Sequence, residues 1–198
     1  MTAASYPAER LDRDQAALVL VDHQVGLLLG VEDPEKELLR RNVIALAKVA
    51  KAYGLPVVIT TSADSGPNGI LLPEISAELP DAPVIRRPGE IDAFDNAGFA
   101  ATVKTTGRSQ LIVAGISTDV CVSFAAQSAV AAGYKVHAVL DASGTWNQLA
   151  TRADARAQPE RGPGGIWGQP LLGRALERHR HAQEAAPHLR VPEIREGA

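Results

Sequence analysis

Three places in this chain put reactive side chains where an enzyme could use them. Asp22 closes the apolar run at residues 16–22 (AALVLVD), and Arg86 and Arg87 follow the short run at 83–85 (PVI). Cys121, the single cysteine among 198 residues, ends the segment GISTDVC, which joins an apolar run at 110–115 to a stretch of small residues. A thiol in the first turn of a helix meets free N–H groups and a partial positive charge, and both lower its pKa. The same N–H groups can hold an oxyanion. A carboxylate beside the thiol can take its proton, and a cation can orient that carboxylate, which completes the pattern of nucleophile, base and orienter. Each residue also has a plainer use. A lone cysteine is often inert core, an aspartate at a strand end often caps the next helix, and paired arginines are commonly solvated. His23 reads as a packed turn residue and Asp119 as the cap of the nucleophile helix. Asp141, ending the fifth strand, is open between the two kinds of role.

The elements that must carry these side chains alternate. Residues 16–22, 56–61, 83–85, 110–115 and 135–141 read as strands, the first as a buried parallel strand because it is apolar without interruption. Residues 42–53 read as a helix with Asn42 as N-cap and Gly54 as its stop, residues 95–106 as a second, and residues 118–132 as a third, ended by Gly133. Alternation of this kind predicts an α/β fold, three layers deep, with a parallel sheet between helices. Ligands in such sheets bind beyond the carboxyl ends of the strands, where all three reactive positions fall.

Composition narrows the function. The formal net charge is −3, without the basic surplus of a nucleic-acid footprint. No apolar run reaches the roughly 18 residues that span a bilayer, and the N-terminal stretch lacks a signal-peptide core. A lone cysteine rules out an internal disulfide framework and a multi-cysteine metal site. A cytoplasmic enzyme or binding protein remains, with neither nucleic acid nor membrane as its partner. The last 48 residues differ in kind from residues 1–150. They hold one valine against sixteen and no lysine, and 27 of them are Arg, Ala, Gly or Pro. The stretch PERGPGGIWGQP predicts no regular element, and 170–186 predicts a helix. Two readings of 151–198 stand side by side: a disordered tail, and a shifted reading frame in a GC-rich gene.

The segments AALVLVDHQVGLL, TTSADSGPNG, VIRRPGEIDAFDN and LIVAGISTDVCVSFAAQSAVAAGYKVHAVLDASGT resemble the isochorismatase-like cysteine hydrolases, most of all the YcaC-type branch. The likeness covers about residues 8–148 in order and spacing. It implies a six-stranded parallel sheet, of which the sixth, edge strand is missing or replaced here because the tail does not match. It implies cleavage of an amide-type C–N bond through a thioester, with Asp22 as base and Cys121 as nucleophile. Arg87 stands where most of the family has lysine, and Arg86 is the adjacent alternative. Arginine does not act as a neutral base, so its role would be electrostatic and orienting. The resemblance further implies a cis peptide between Ile116 and Ser117, with the N–H groups of Ser117 and Cys121 forming an oxyanion hole. It also implies a homo-oligomer, if the tail permits one.

Nicotinamidases of the superfamily hold a metal through an Asp-x-His pair and a further histidine. TTSADSGPNG has no histidine, so no metal is expected. Asn68, Phe94 and Trp146 are candidates for substrate binding. Two functions from different classes follow: a cysteine hydrolase, and a non-catalytic remnant that binds small carboxylates or amides without turnover. A nucleotide-binding domain is disfavoured because neither glycine-rich phosphate motif follows a strand.

Overall fold

The computed structural model describes residues 11–147 and the backbone of residues 165–166. Strand β1 spans Ala16–Val21, and all six of its residues are buried. A strand covered on both faces reads as continuously apolar, yet its residues still alternate between faces. Ala16, Leu18 and Leu20 enter one core, while Ala17, Val19 and Val21 enter the other. Helices α1 (Val25–Gly30), α2 (Lys36–Tyr53) and α3 (Pro73–Glu78) follow, with β2 (Val57–Ser62) between the last two. Strand β3 is Val84–Arg87, helix α4 is Ala97–Thr105, and β4 is Gln110–Gly115. Helix α5 (Ser123–Ala131) and strand β5 (Lys135–Ala138) complete the alternation.

The sheet order is β3-β2-β1-β4-β5-β6, and every pairing is parallel. Val43, Leu46 and Ala47 of α2 and Ile75 of α3 close the first core, and Phe99 and Val103 of α4 with Ala125, Ala126 and Ala129 of α5 close the second. The result is the expected three-layer α/β/α fold. Strand β6 is only Gly165–Ile166, paired with Val136 and His137. The sixth position of the sheet is thus filled by two residues of the stretch read from sequence as irregular, which corrects that expectation. The predicted helix at 170–186 lies outside the described residues, as does the rest of the tail.

Local boundaries differ where long-range contacts outweigh local signals. Helix α2 begins six residues before Asn42, with Glu35 as N-cap accepting hydrogen bonds from the N–H groups of Glu37 and Leu38. Asn42 lies inside the helix, and its Nδ2 donates to the Asp141 carbonyl at 2.7 Å. Gly54 ends the helix as expected, with φ 63°. The helix read at 118–132 is two elements, a π-helical turn at Thr118–Val122 and α5. Asn96 caps α4 through the Phe99 N–H. Among the described residues no helix is long and apolar enough to cross a membrane.

Candidate active site

The order of strands reverses between β1 and β4. The chain leaves β1 towards β2 and β3, then returns to place β4 on β1's other side. A crevice opens at the carboxyl ends of the two strands on either side of such a point. Asp22 follows β1, and the turn bearing Cys121 follows β4. The two strands approach closely here. A Cβ on Gly115 would sit 2.3 Å from the Val21 carbonyl oxygen, so only glycine fits.

Asp22 is fully buried and has φ 57°, a left-handed conformation that aspartate tolerates better than most residues. Its N–H donates to the Thr60 carbonyl at 2.9 Å. Arg87 Nη2 donates to both carboxylate oxygens, at 2.6 and 2.5 Å. Arg87 Nε donates to Thr60 Oγ1 at 2.9 Å, Thr60 Oγ1 donates to the Ile85 carbonyl at 2.8 Å, and Arg87 Nη1 donates to the Glu90 carbonyl. Arg87 is 2% exposed. Its neighbour Arg86 leaves 75% of its side chain in solvent and pairs with Asp64 at 2.9 Å. Successive strand residues point to opposite faces, so one register choice sends Arg87 to Asp22 and Arg86 outward. Of the two arginines, this register brings Arg87 to Asp22.

Cys121 is half-buried. Asp22 and the Ser117 backbone lie close enough to act on its thiol. The Ile116–Ser117 peptide is cis. The N–H of Cys121 belongs to the first turn of its helix, where N–H groups have no acceptor within the helix. Two opposed effects act on the thiol. Burial, reinforced by the negative Asp22, pushes it up to about 12, while the Ser117 N–H and Arg87 pull it down without prevailing. The lowered pKa expected from the helix start is therefore not found. Burial raises the Asp22 carboxyl and the Arg87 guanidinium opposes that rise. The thiol is thus held protonated beside the Asp22–Arg87 pair.

Several residues were not singled out from sequence. Thr60 fixes Arg87, and its signal is a polar residue within an apolar strand. Gln24 is fully buried; its Nε2 donates to the Ser62 and Gly69 carbonyls at 3.1 and 2.5 Å, and its Oε1 accepts from the Ser62 N–H at 2.8 Å. Ser143 Oγ accepts from the Gly115 N–H at 3.1 Å and donates to the Val139 carbonyl at 2.7 Å. Nothing in local spacing announces these last two partnerships.

His23 is fully buried, and its Nε2 donates to the Ala142 carbonyl at 2.9 Å. Burial lowers its pKa to about 4. Asp119 does not cap the helix. Ser117 is the N-cap residue, without a side-chain capping bond, and Asp119 Oδ1 accepts from Thr145 Oγ1 at 2.6 Å. Asp141 lies in a 3₁₀ turn at Leu140–Ala142, and burial raises its carboxyl. Asn68 Nδ2 donates to the Ser62 carbonyl at 2.8 Å. Phe94 packs edge-on against Phe99 with ring centroids 5.2 Å apart, and Trp146 lies against Gly30. None of these contacts of Asn68, Phe94 and Trp146 is with Asp22, Arg87 or Cys121. Among the described residues no three His, Cys, Asp or Glu side chains come together as a metal site.

A buried acid, a buried arginine and a thiol at the switch point of a parallel α/β sheet define a class that comparison makes specific. The chain belongs to the isochorismatase family of hydrolases: the Isochorismatase domain model matches residues 16–158. The probable hydrolase YcaC of Escherichia coli strain K12 is 52% identical over 143 residues, 72% of this chain and 69% of that protein. The crystal structure of the Escherichia coli YcaC gene product, an octameric hydrolase of unknown specificity, matches with a TM-score of 0.80 at 47% identity, over 88% of this chain and 84% of that one. YcaC from Pseudomonas aeruginosa, solved with hexane-2,5-diol and covalent acrylamide, matches with a TM-score of 0.81 at 43% identity, over 88% and 86%. The streptothricin hydrolase of Streptomyces noursei is 30% identical over 142 residues, 66% of this chain and half of that protein.

Proposed function

We propose that this chain is a cysteine hydrolase that cleaves an amide-type C–N bond of a small molecule through a thioester. The observation that carries the reading is a buried carboxylate, held by Arg87 on both oxygens, at the end of β1 beside the strand whose following turn bears Cys121. As the sulfur attacks the carbonyl carbon, its proton passes to Asp22 and an S–C bond forms. The N–H groups of Ser117 and Cys121 receive the developing oxyanion. Collapse breaks the C–N bond, and the proton on Asp22 goes to the leaving nitrogen. Asp22, again ionised, then takes a proton from water, which attacks the thioester and releases the acid and the thiol. Arg87 stays protonated throughout and keeps the carboxylate aimed.

A thiol pushed up to about 12 fits a general-base mechanism better than a standing thiolate, because the proton leaves only as the S–C bond forms. Covalent acrylamide on the Pseudomonas aeruginosa relative agrees with a reactive nucleophile in this branch, and the name of the Streptomyces noursei relative agrees with hydrolysis. Asn68, Phe94 and Trp146 are proposed to line the substrate pocket, with no metal or other cofactor in the reaction. The octameric Escherichia coli relative supports a homo-oligomer here, and Leu29 and Ile70 leave apolar surface for one. A reducing cytoplasm would keep the lone thiol free.

The test is ammonia or amine release from a panel of small amides by wild type and Cys121→Ser. The serine variant is expected to lose at least about 10³-fold in turnover with its thermal melt unchanged. A variant keeping most of its activity removes Cys121 as nucleophile.

A further inference from the structure

The turn that carries Cys121 lacks the usual front-end support. Ser117, its N-cap residue, makes no side-chain capping bond, and the turn is π-helical, with the Val122 N–H reaching back to the Ser117 carbonyl at 3.0 Å. Support comes instead from residues 143–145. The Thr118 N–H donates to the Gly144 carbonyl at 2.9 Å, and the Gly144 N–H donates to the Gly115 carbonyl at 3.1 Å. The one side chain that reaches the turn from this segment is Thr145, whose hydroxyl donates to Asp119 Oδ1 at 2.6 Å. Thr145 is fully buried and is anchored from its other side. Its N–H donates to the Asp33 carbonyl at 2.8 Å, and its own carbonyl accepts from Glu32 and Asp33 at 3.0 and 3.2 Å.

We propose that Thr145 and Asp119 form a positioning pair that sets the register of the nucleophile turn. Asp119 stands two residues before Cys121 and two after Ser117. A bond from the fixed 143–145 segment to its carboxylate holds the turn between the two proposed oxyanion donors and so sets where the Ser117 N–H stands relative to the sulfur. The pair's hydrogen bonds go to neither the thiol nor the base, so it acts through the turn. A misplacement of the order of 1 Å at such a site costs about 10²-fold in rate. The inference rests on Cys121 being the nucleophile.

The experiment follows iodoacetamide labelling of Cys121 by intact mass, between pH 7 and 9, in the full chain. It compares wild type, Thr145→Val, Thr145→Ser, Asp119→Ala and the Val/Ala double variant, with thermal melts alongside. Thr145→Val is expected to label about tenfold more slowly at each pH, because the Ser117 N–H no longer supports the forming thiolate. Thr145→Ser should restore the wild-type rate. Asp119→Ala should match Thr145→Val, and the double variant should be no slower than either, as for two halves of one interaction. Labelling of Thr145→Val at the wild-type rate or faster overturns the proposal. So does equal slowing in Thr145→Ser, or additive slowing in the double variant. Labelling needs no substrate, so the outcome is separate from the fate of the nucleophile reading, which Cys121→Ser turnover decides.

Discussion

The two sides of the crevice are held in different ways. On the β1–β3 side, Asp22 and Arg87 are both out of solvent, and their placement depends on charge. Both Asp22 oxygens take Arg87 Nη2, and Arg87 Nε and Nη1 are held by Thr60 of β2 and the Glu90 carbonyl after β3. On the β4 side, Cys121 rides on a turn held by main-chain bonds and neutral or singly charged side chains. A buried ion pair is expensive to assemble and still more expensive to break in half. A hydrogen-bonded turn loses less from any single change. The acid side should therefore respond to substitution as a stability problem and the thiol side as a rate problem.

The sharpest way to break this contrast is Arg87→Met. It leaves the fully buried Asp22 without its cation, and an expected loss of about 3–5 kcal/mol should appear in urea unfolding. A loss comparable with an exposed pair would mean that Asp22 finds other solvation and that the contrast is wrong.

The next effect in size is a pH dependence. His23 links the acid side to residues 140–142 and is neutral in the fold, with its pKa lowered to about 4 from the usual 6.5. A group depressed in the folded state stabilises it above the unfolded pKa, and that stability is lost as pH falls from about 6.5 towards 4. Unfolding free energy should drop by about 2 kcal/mol between pH 7 and 5 from this residue alone. The raised carboxyls of Asp22 and Asp141 act in the opposite sense. A folded His23→Asn variant isolates the histidine component, and its urea midpoint should lose that share of the fall. An unchanged fall would assign the dependence to other groups.

The smallest effect sharpens the comparison within one strand. Arg86→Ala removes an ion pair whose arginine is mostly in solvent. Its expected cost is below about 1 kcal/mol by thermal melt. Two adjacent arginines on one strand would then differ severalfold for reasons that lie wholly in burial. A cost near that of Arg87→Met would mean that the Asp64 pairing matters more than its exposure suggests.

Much of the fold was legible because its cause is local. β1 and β4 announce themselves as unbroken apolar runs, since a central parallel strand is covered on both faces. Gly54 marks the end of α2 because a left-handed residue is needed there. Asp22, Arg87 and Cys121 were legible as candidates because strand ends are where such sheets place ligands. The errors share another cause. Asn42 looks like an N-cap, but Asp141 takes its amide from 99 residues away. Asp119 looks like a cap, yet it answers to Thr145. β6 grows from a stretch whose composition argues against any strand, because β5 offers a free edge to pair with.

The sequence by itself determined which segments become strands and helices, and which three side chain types arrive at one edge of the sheet. Periodicity and turn chemistry act over a few residues, so they can be read from a few residues. The family resemblance pointed to Arg87 rather than Arg86, and the tertiary structure supplied the physical reason, because strand register sorts neighbours to opposite faces and brings Arg87 to Asp22. The tertiary structure alone decided that the thiol is pushed up rather than down. The helix start is a local influence, but burial and the charge of Asp22 come from segments about a hundred residues apart, and at that distance in the chain only folding brings them together.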